Sequence, residues 1–353
     1  MDLDLFRHIL ETDSTSGQER TLAEFLEDRL RVDGCVVRRF EVGDGTLNLL
    51  LDWSASGAPS FVFCSHLDTV PPYIAPETVP VRAGDILPDG KVAAMDDTMF
   101  TGRGTCDAKG QFFTMYSTCL ELASEGHRDF GLLLLSGEET GSFGAKAYTR
   151  DCPGGEYVLV GEPTDNRPVR ASKGTKSFRV TLRGKACHSG YPEHGRSAVS
   201  MFVDFMNRLG AVDFPEDPIL GKTTWNVGKL SGDNPQNILS PEVTFRLYFR
   251  TTFATDDLIQ HKLEGICPKG SSIEAFGGDR PLEYHHGAPG LTTTTVSFGS
   301  DAPRLEKFAQ KAICGPGSIL TAHTPDEYVL LSQMEEAKSL YRRIFENFIQ
   351  TKQ

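Results

Sequence analysis

Apolar residues recur at helical spacing in the opening segment, pause at the polar, serine-rich stretch STSGQE (14–19), and resume at Leu22, Phe25, Leu26 and Leu30, which predicts two helices. The period then changes. FVFC (61–64), GLLLLS (131–136) and YVLV (157–160) are short apolar runs rich in branched residues, too short for buried helices, and they predict central strands of one sheet. Between the first two lies KGQFFTMYSTCLELASEG (109–126), whose apolar positions suit a helix. The order strand, helix, strand predicts a mostly parallel α/β layer.

From about Ala171 the texture is different. KSFRVTLRG (176–184) and EVTFRLYFR (242–250) alternate apolar with polar residues, as half-buried antiparallel strands do, and AVSMFVDFMNRLGAV (198–212) between them is helical. After roughly Arg280 the chain passes a Gly- and Thr-rich stretch, then APRLEKFAQKAI, the short run GPGSIL (315–320), and a final helix over 333–349 that resumes the first texture. The expectation is an α/β protein: a mostly parallel-sheet catalytic domain over 1–170 and 281–353, with an α+β domain inserted over 171–280. A chain of 353 residues exceeds the size at which one core stops growing, so two domains are reasonable.

Composition narrows the class. Hydrophobic residues at 39% and charged residues at 24% describe an ordinary globular protein. The net charge is −12, with no basic run to follow a phosphate backbone, so nucleic acid is not an expected partner. The segment MDLDLFRHILETD lacks the cationic and long apolar regions of a secretory signal, and no window holds 18 uninterrupted apolar residues. The reading is a cytoplasmic protein with no membrane partner. Eight cysteines without a C-x-x-C pair argue against a cysteine zinc site or a disulfide framework.

In a parallel sheet, ligands gather outside the carboxyl ends of the strands. FVFC is followed by His66 and Asp68, GLLLLS by Glu138 and Glu139, YVLV by Glu162, and GPGSIL by His323; Asp107 sits just before the predicted helix. Each alone has a plain alternative: a helix N-cap for Asp107, a satisfied structural histidine for His66, a solvated loop for the paired glutamates. Together they form a metal-ligand set on one rim. Two histidines and three carboxylates supply two zinc ions with three ligands each if one carboxylate bridges, and Asp107 is the natural bridge. A further carboxylate must move the proton of the attacking water to the leaving amine, so one of Glu138 and Glu139 is left free of metal. Asp68, two residues after His66, is suited to fix the tautomer of that histidine.

The motifs SHLDTVP, GRGTCDAKG, GEETG, GEPTD and AHTPDEY stand in an order and spacing that resemble one family. It is the family of co-catalytic zinc hydrolases that includes acetylornithine deacetylase, succinyl-diaminopimelate desuccinylase, aminoacylase, glutamate carboxypeptidase and the aminotripeptidases. The resemblance spans nearly the whole chain. It implies that His66, Asp107 and Glu162 hold one zinc and Asp107, Glu139 and His323 the other, with cobalt or manganese able to replace zinc, and that Glu138 is the general base. It also implies that the inserted domain is a lid that forms a homodimer, and that His188 in ACHSG stabilises the oxyanion. Asn237 and Arg250 match the Asn and Arg that hold the substrate carboxylate in the family, and Gly315 and Gly317 match its substrate-side loop. Glutamate at position 162 resembles the deacetylases and desuccinylases, whereas peptidase branches and aminoacylase tend to carry aspartate. The implied substrate is an N-acyl amino acid, N-acetyl in particular, as in the acetylornithine deacetylase branch.

Three other readings compete. A di- or tripeptidase or carboxypeptidase would use the same metals and base. A non-catalytic metal- or peptide-binding protein would have no need of Glu138 beside an intact ligand set. A dinucleotide-binding oxidoreductase is excluded because Gly102-x-Gly104 lacks the third glycine and its structural context.

Overall fold

The structure, a computed structural model, describes residues 1–43, 45–54 and 56–352. The chain divides into two compact units, the first formed by Met1–Arg170, Tyr284–Thr294 and Ser300–Gln353, the second by Ala171–Glu283 and Thr295–Gly299. The second unit thus runs to Glu283 rather than 280, and the short return 295–299, expected in the first unit, belongs with the second.

Up to the first crossing the elements are α1 (Leu3–Glu11), α2 (Arg20–Arg29), β1 (Val36–Glu41), β2 (Leu47–Asp52), β3 (Phe61–His66), β4 (Glu77–Val81), β5 (Asp97–Thr101), α3 (Lys109–Ser124), β6 (Phe130–Leu135), α4 (Phe143–Asp151), β7 (Gly155–Val160) and β8 (Val169–Ser172). There follow β9 (Gly174–Arg183), α5 (Ala198–Gly210), β10 (Thr224–Ser231), β11 (Glu242–Thr251), α6 (Ile259–Ile266), β12 (Ser272–Ala275), β13 (Leu282–Glu283) and β14 (Thr294–Val296). The chain ends with β15 (Phe308–Ile313), β16 (Tyr328–Leu330) and α7 (Leu331–Lys352).

The three apolar runs are β3, β6 and β7, at the centre of a six-stranded sheet of order β1-β2-β6-β3-β7-β15. β6, β3, β7 and β15 run parallel, and the antiparallel β1–β2 pair completes one edge. β2, β3 and β6 are buried at every position, because successive side chains point to opposite faces and both faces are covered. That is why these strands read as continuous apolar runs. Phe61 and Phe63 pack with Tyr157, Tyr341 and Phe345 in a core that takes in α1, α2, α3 and α7. The fourth parallel strand is β15, from FAQKAI. GPGSIL, expected as the apolar run ahead of His323, is instead a turn-rich connection with Gly317 at φ 80°.

The second unit has an antiparallel four-stranded sheet of order β10-β11-β9-β12. Buried and accessible positions alternate along β11, since only one face is covered, by α5 and α6 through Met201, Phe205, Ile259 and Leu263. The α/β class with a mostly parallel main sheet holds. All eight cysteines are free. No helix among the described residues is long and apolar enough to cross a membrane.

Candidate metal centre

Sheet order decides which side chains meet. β3 lies between β6 and β7, with His66 level with Leu135 and Cys64 level with Val160. His66, the last residue of β3, therefore sits between Glu138 and Glu139, which follow β6, and Glu162, two residues beyond β7. Gly137, at φ 69°, makes the turn that brings the two glutamates round after β6, a conformation that suits a residue without Cβ.

Among the described residues, ligand atoms fall into three groups whose members all lie within 4.8 Å of one another: His66, Asp107 and Glu162; Asp107, Glu139 and His323; and His66, Glu138 and Glu139. Asp107 faces both histidines, with Oδ1 at 3.1 Å from Nε2 of His66 and Oδ2 at 3.2 Å from Nε2 of His323. Nε2 of His323 also lies 2.9 Å from Oε1 of Glu139. His323 holds a left-handed backbone, φ 65°, in the turn before β16. Asp107 is not a helix cap: the N-cap position of α3 is Ala108, and no side chain caps that end.

Asp68 bears on both His66 and the paired glutamates. Nδ1 of His66 lies 2.9 Å from the backbone carbonyl of Asp68 and 3.5 Å from its carboxylate Oδ1, so Nδ1 carries a proton there and Nε2 is turned toward Asp107. The buried Asp68 carboxylate also accepts the backbone N–H groups of Glu138 (3.0 Å) and Glu139 (3.2 Å) and the hydroxyl of Ser16 (2.8 Å). Asp68 thus aligns both glutamates through their main chain.

Burial pushes the Glu138 carboxyl well above the ordinary carboxylate range, with Asp301, Glu139 and Asp107 adding repulsion against the attraction of His66. Glu162 is raised likewise, by burial first and then by Asp107 and Glu138. His323 is pushed up to about 10 by its bonds to Asp107 and Glu139. Burial opposes protonation of His66, yet Asp107 and Asp68 raise it well above the usual imidazole value. The protein alone has thus gathered more acidic groups than its two histidines can balance.

The donor set fits divalent cations. Glu162 is 4% exposed, and its Oε1 is buried with no hydrogen-bond partner, a costly arrangement unless a cation takes the lone pair. Mixed imidazole and carboxylate donors with a carboxylate facing both halves suit a pair of zinc-like ions.

Gly315 and Gly317 stand in the loop after β15: a Cβ at Gly315 would meet Gln111 and the carbonyl of Glu162, and one at Gly317 would meet Cys106. Asn237, His188 and Arg250 belong to the second unit. His188 is exposed and lies on a segment paired with that of Asn237, through Ser189 N–H to the Asn237 carbonyl at 2.9 Å. Arg250 projects from β11, with its guanidinium 5.1 Å from the ring of Tyr248. Sequence reading did not single out Asp301, a buried carboxyl pushed up to about 7, chiefly by burial, nor Arg103 and Glu327. The last two stand inside motifs already quoted, but nothing in a linear chain signals that residues 224 positions apart are partners.

Residues 62–347 match the family model of peptidase family M20/M25/M40. The chain belongs to this family. A peptidase M20 domain-containing protein of Schizosaccharomyces pombe is 29% identical over 97% of this chain and 83% of its own length. A protein of Uncinocarpus reesii named as a probable carboxypeptidase is 30% identical over 97% of this chain and 85% of its own. In fold, this M20 protein is similar to a tripeptidase of Staphylococcus aureus, with TM-score 0.76, 21% identity and coverage of 99% of this chain and 98% of the other. It is also similar to an M20 metallo-carboxypeptidase of Sulfolobus solfataricus, with TM-score 0.69, 15% identity and 99% coverage of both. The protein is a hydrolase acting on amide or peptide bonds.

Proposed function

We propose that this M20 hydrolase is a two-metal enzyme that cleaves the amide joining an acyl group to an amino acid with a free carboxylate, using Glu138 as general base. The observation that carries the reading is the convergence of His66, Asp107, Glu139, Glu162 and His323 into ligand groups that share Asp107. In this reading His66, Asp107 and Glu162 hold one ion, and Asp107, Glu139 and His323 the other. Zinc suits the donors, and cobalt or manganese would accept them too. Such a pair of ions, when bound, makes a water nucleophilic at neutral pH and polarises the scissile carbonyl.

The chain's own part is proton movement and orientation. The carboxylate of Glu138 takes the proton of the attacking water and delivers it to the amide nitrogen, so that the amine leaves neutral as the C–N bond breaks. Asp68 keeps Glu138 and Glu139 in place by accepting both backbone N–H groups. Its carbonyl accepts from Nδ1 of His66, which leaves Nε2, the nitrogen facing Asp107, as the one that would hold an ion.

An N-acyl amino acid and a peptide offer this site the same group; they differ only in how far the acyl side continues. Glu162 supports the N-acetyl amino acid reading through the resemblance to deacetylases. The name carried by the Uncinocarpus relative, probable carboxypeptidase, supports a carboxypeptidase. Stabilisation of the oxyanion by His188 and recognition of the carboxylate by Asn237 and Arg250 are part of the proposal, as is a homodimer through the second unit. Trp225 and Leu230 on edge strand β10, and Val199 and Val203 on α5, are exposed apolar residues suited to such an interface.

The test is release of primary amine from N-acetyl amino acids, N-succinyl amino acids, dipeptides and longer peptides by zinc-loaded protein, with a chelator control. Chelator-sensitive release from N-acyl compounds supports the deacylase, and preference for peptides supports the carboxypeptidase. No chelator-sensitive release from any of them sinks the proposal.

A further inference from the structure

His66, Asp107 and His323 lie on segments far apart in the chain, and a single buried ion pair is bonded to all three segments. Nη1 of Arg103 lies 2.6 Å from Oε2 of Glu327, and the two residues are 3% and 0% exposed. The other oxygen of Glu327, Oε1, accepts the backbone N–H groups of Cys106 (3.2 Å) and Asp107 (3.1 Å). Arg103 donates from Nε to the carbonyl of Pro72, downstream of His66, and from Nη1 to the carbonyl of Thr324, next to His323, each at 3.3 Å. Main-chain bonds reinforce the knot, from Gly102 N–H to the Glu327 carbonyl and from Arg103 N–H to that of Ile74.

Stability alone is a weak reason for such a pair, because desolvating two charges cancels most of their attraction and apolar replacements are often no worse. Its partners suggest a different role. One carboxylate oxygen is committed to the N–H of the residue whose side chain faces both histidines. The guanidinium is committed to the carbonyl next to His323 and to that of Pro72, in the loop that leaves His66.

We propose that Arg103 and Glu327 are positioning residues that set the place of the Asp107 carboxylate between His66 and His323, and hence the affinity and geometry of the shared metal pair. The proposal rests on the two-metal reading above. Neither residue touches substrate; both act through the main chain of the ligand-bearing segments. Removing an outer partner of a metal ligand weakens metal binding by about 10- to 100-fold.

Wild type, Glu327→Gln, Arg103→Lys and Arg103→Met are to be titrated with Co²⁺ as the full-length metal-free protein, by calorimetry and by the visible spectrum of the bound ion. Circular dichroism is recorded on each. Glu327→Gln keeps an acceptor for the two N–H groups while removing the charge that holds Arg103, so it tests the clamp where an alanine would risk unfolding. The expected result is native dichroism, at least one Co²⁺ bound about tenfold or more weakly, and an altered spectrum. In the zinc-loaded variants kcat should fall with little change in KM, and Arg103→Lys should recover part of what Arg103→Met loses. Folded variants that bind two Co²⁺ with wild-type affinity and spectrum overturn the clamp and leave the metal centre standing. A wild-type protein that takes up no Co²⁺ removes the two-metal reading and the clamp with it.

Discussion

Glu138 and Glu139 are adjacent, yet the geometry gives them different work, and a pair of isosteric substitutions separates it. Glu139 has ligand-type atoms within 4.8 Å of two groups, one with Asp107 and His323 and one with His66 and Glu138. Glu138 belongs only to the second, which competes for His66 with the set containing Asp107 and Glu162. Glu138→Gln leaves the backbone N–H that Asp68 accepts untouched and removes one carboxylate from a cluster whose members repel it. The fold should therefore be intact, and the metal-free variant should be no less stable than wild type. What disappears is proton transfer, which contributes about 10²- to 10⁴-fold in rate, or about 3 to 5 kcal/mol of barrier. Glu139→Gln should instead cost a metal ion, because His323 would be left with Asp107 alone. The assay is metal content per chain after dialysis by mass spectrometry, together with kcat/KM on the best substrate of the panel. A Glu138→Gln variant that loses one metal equivalent would make Glu138 a ligand, and one that keeps more than about a tenth of wild-type kcat/KM would remove it as the base.

Three further outcomes are expected. Phe61, fully buried and stacked on Tyr157 at 4.9 Å, should cost about 3 to 5 kcal/mol when replaced by Ala; denaturant unfolding followed through Trp53, the one tryptophan of the first unit, checks it, and a loss below about 1 kcal/mol refutes the packing argument. Burial works against ionisation of Asp217, but N–H groups of Leu220, Ile219 and Ala254 outweigh it and hold its carboxyl below the usual value. That stability is present above the unfolded pKa of about 3.9 and is lost as pH falls through the lower folded value, so Asp217→Asn should cost about 1 to 3 kcal/mol at neutral pH and progressively less below about pH 4, read from Trp225 in a Trp53→Phe background; a gap independent of pH refutes it. Chelation should lower the melting temperature of the metal-loaded protein, since an ion at about 100 times its Kd adds about 2.7 kcal/mol, and a thermal scan with and without chelator that shows no shift argues against a tight site.

Much of the first unit was legible because its physics is local. Strands covered on both faces must be apolar throughout, so FVFC, GLLLLS and YVLV announce β3, β6 and β7, and a one-sided sheet imposes the alternation of KSFRVTLRG and EVTFRLYFR, which pair directly as β9 and β11. The residues after the three runs were candidates for the same reason: parallel strands end at a common edge, where side chains from different strands can meet. FAQKAI, which forms β15, carries no such signature because an edge strand exposes polar residues, and GPGSIL has apolar residues at its end yet is a loop that packs its glycines against Gln111 and Cys106.

The chain's linear order determined which chemistry was available: imidazoles and carboxylates next to strand ends, no disulfide framework, no basic track. Only the tertiary structure decided how these groups are deployed. It set Asp107 with one oxygen toward each histidine, brought the carbonyl of Asp68 against Nδ1 of His66, and let the Asp68 carboxylate accept from the backbone of the two glutamates. It also joined Arg103 to Glu327 across 224 positions. The reason is range. Burial and periodicity act on near neighbours and leave a repeating mark in the sequence, whereas a hydrogen bond between distant segments depends on a direction and a distance of a few ångströms that only strand order and register can set.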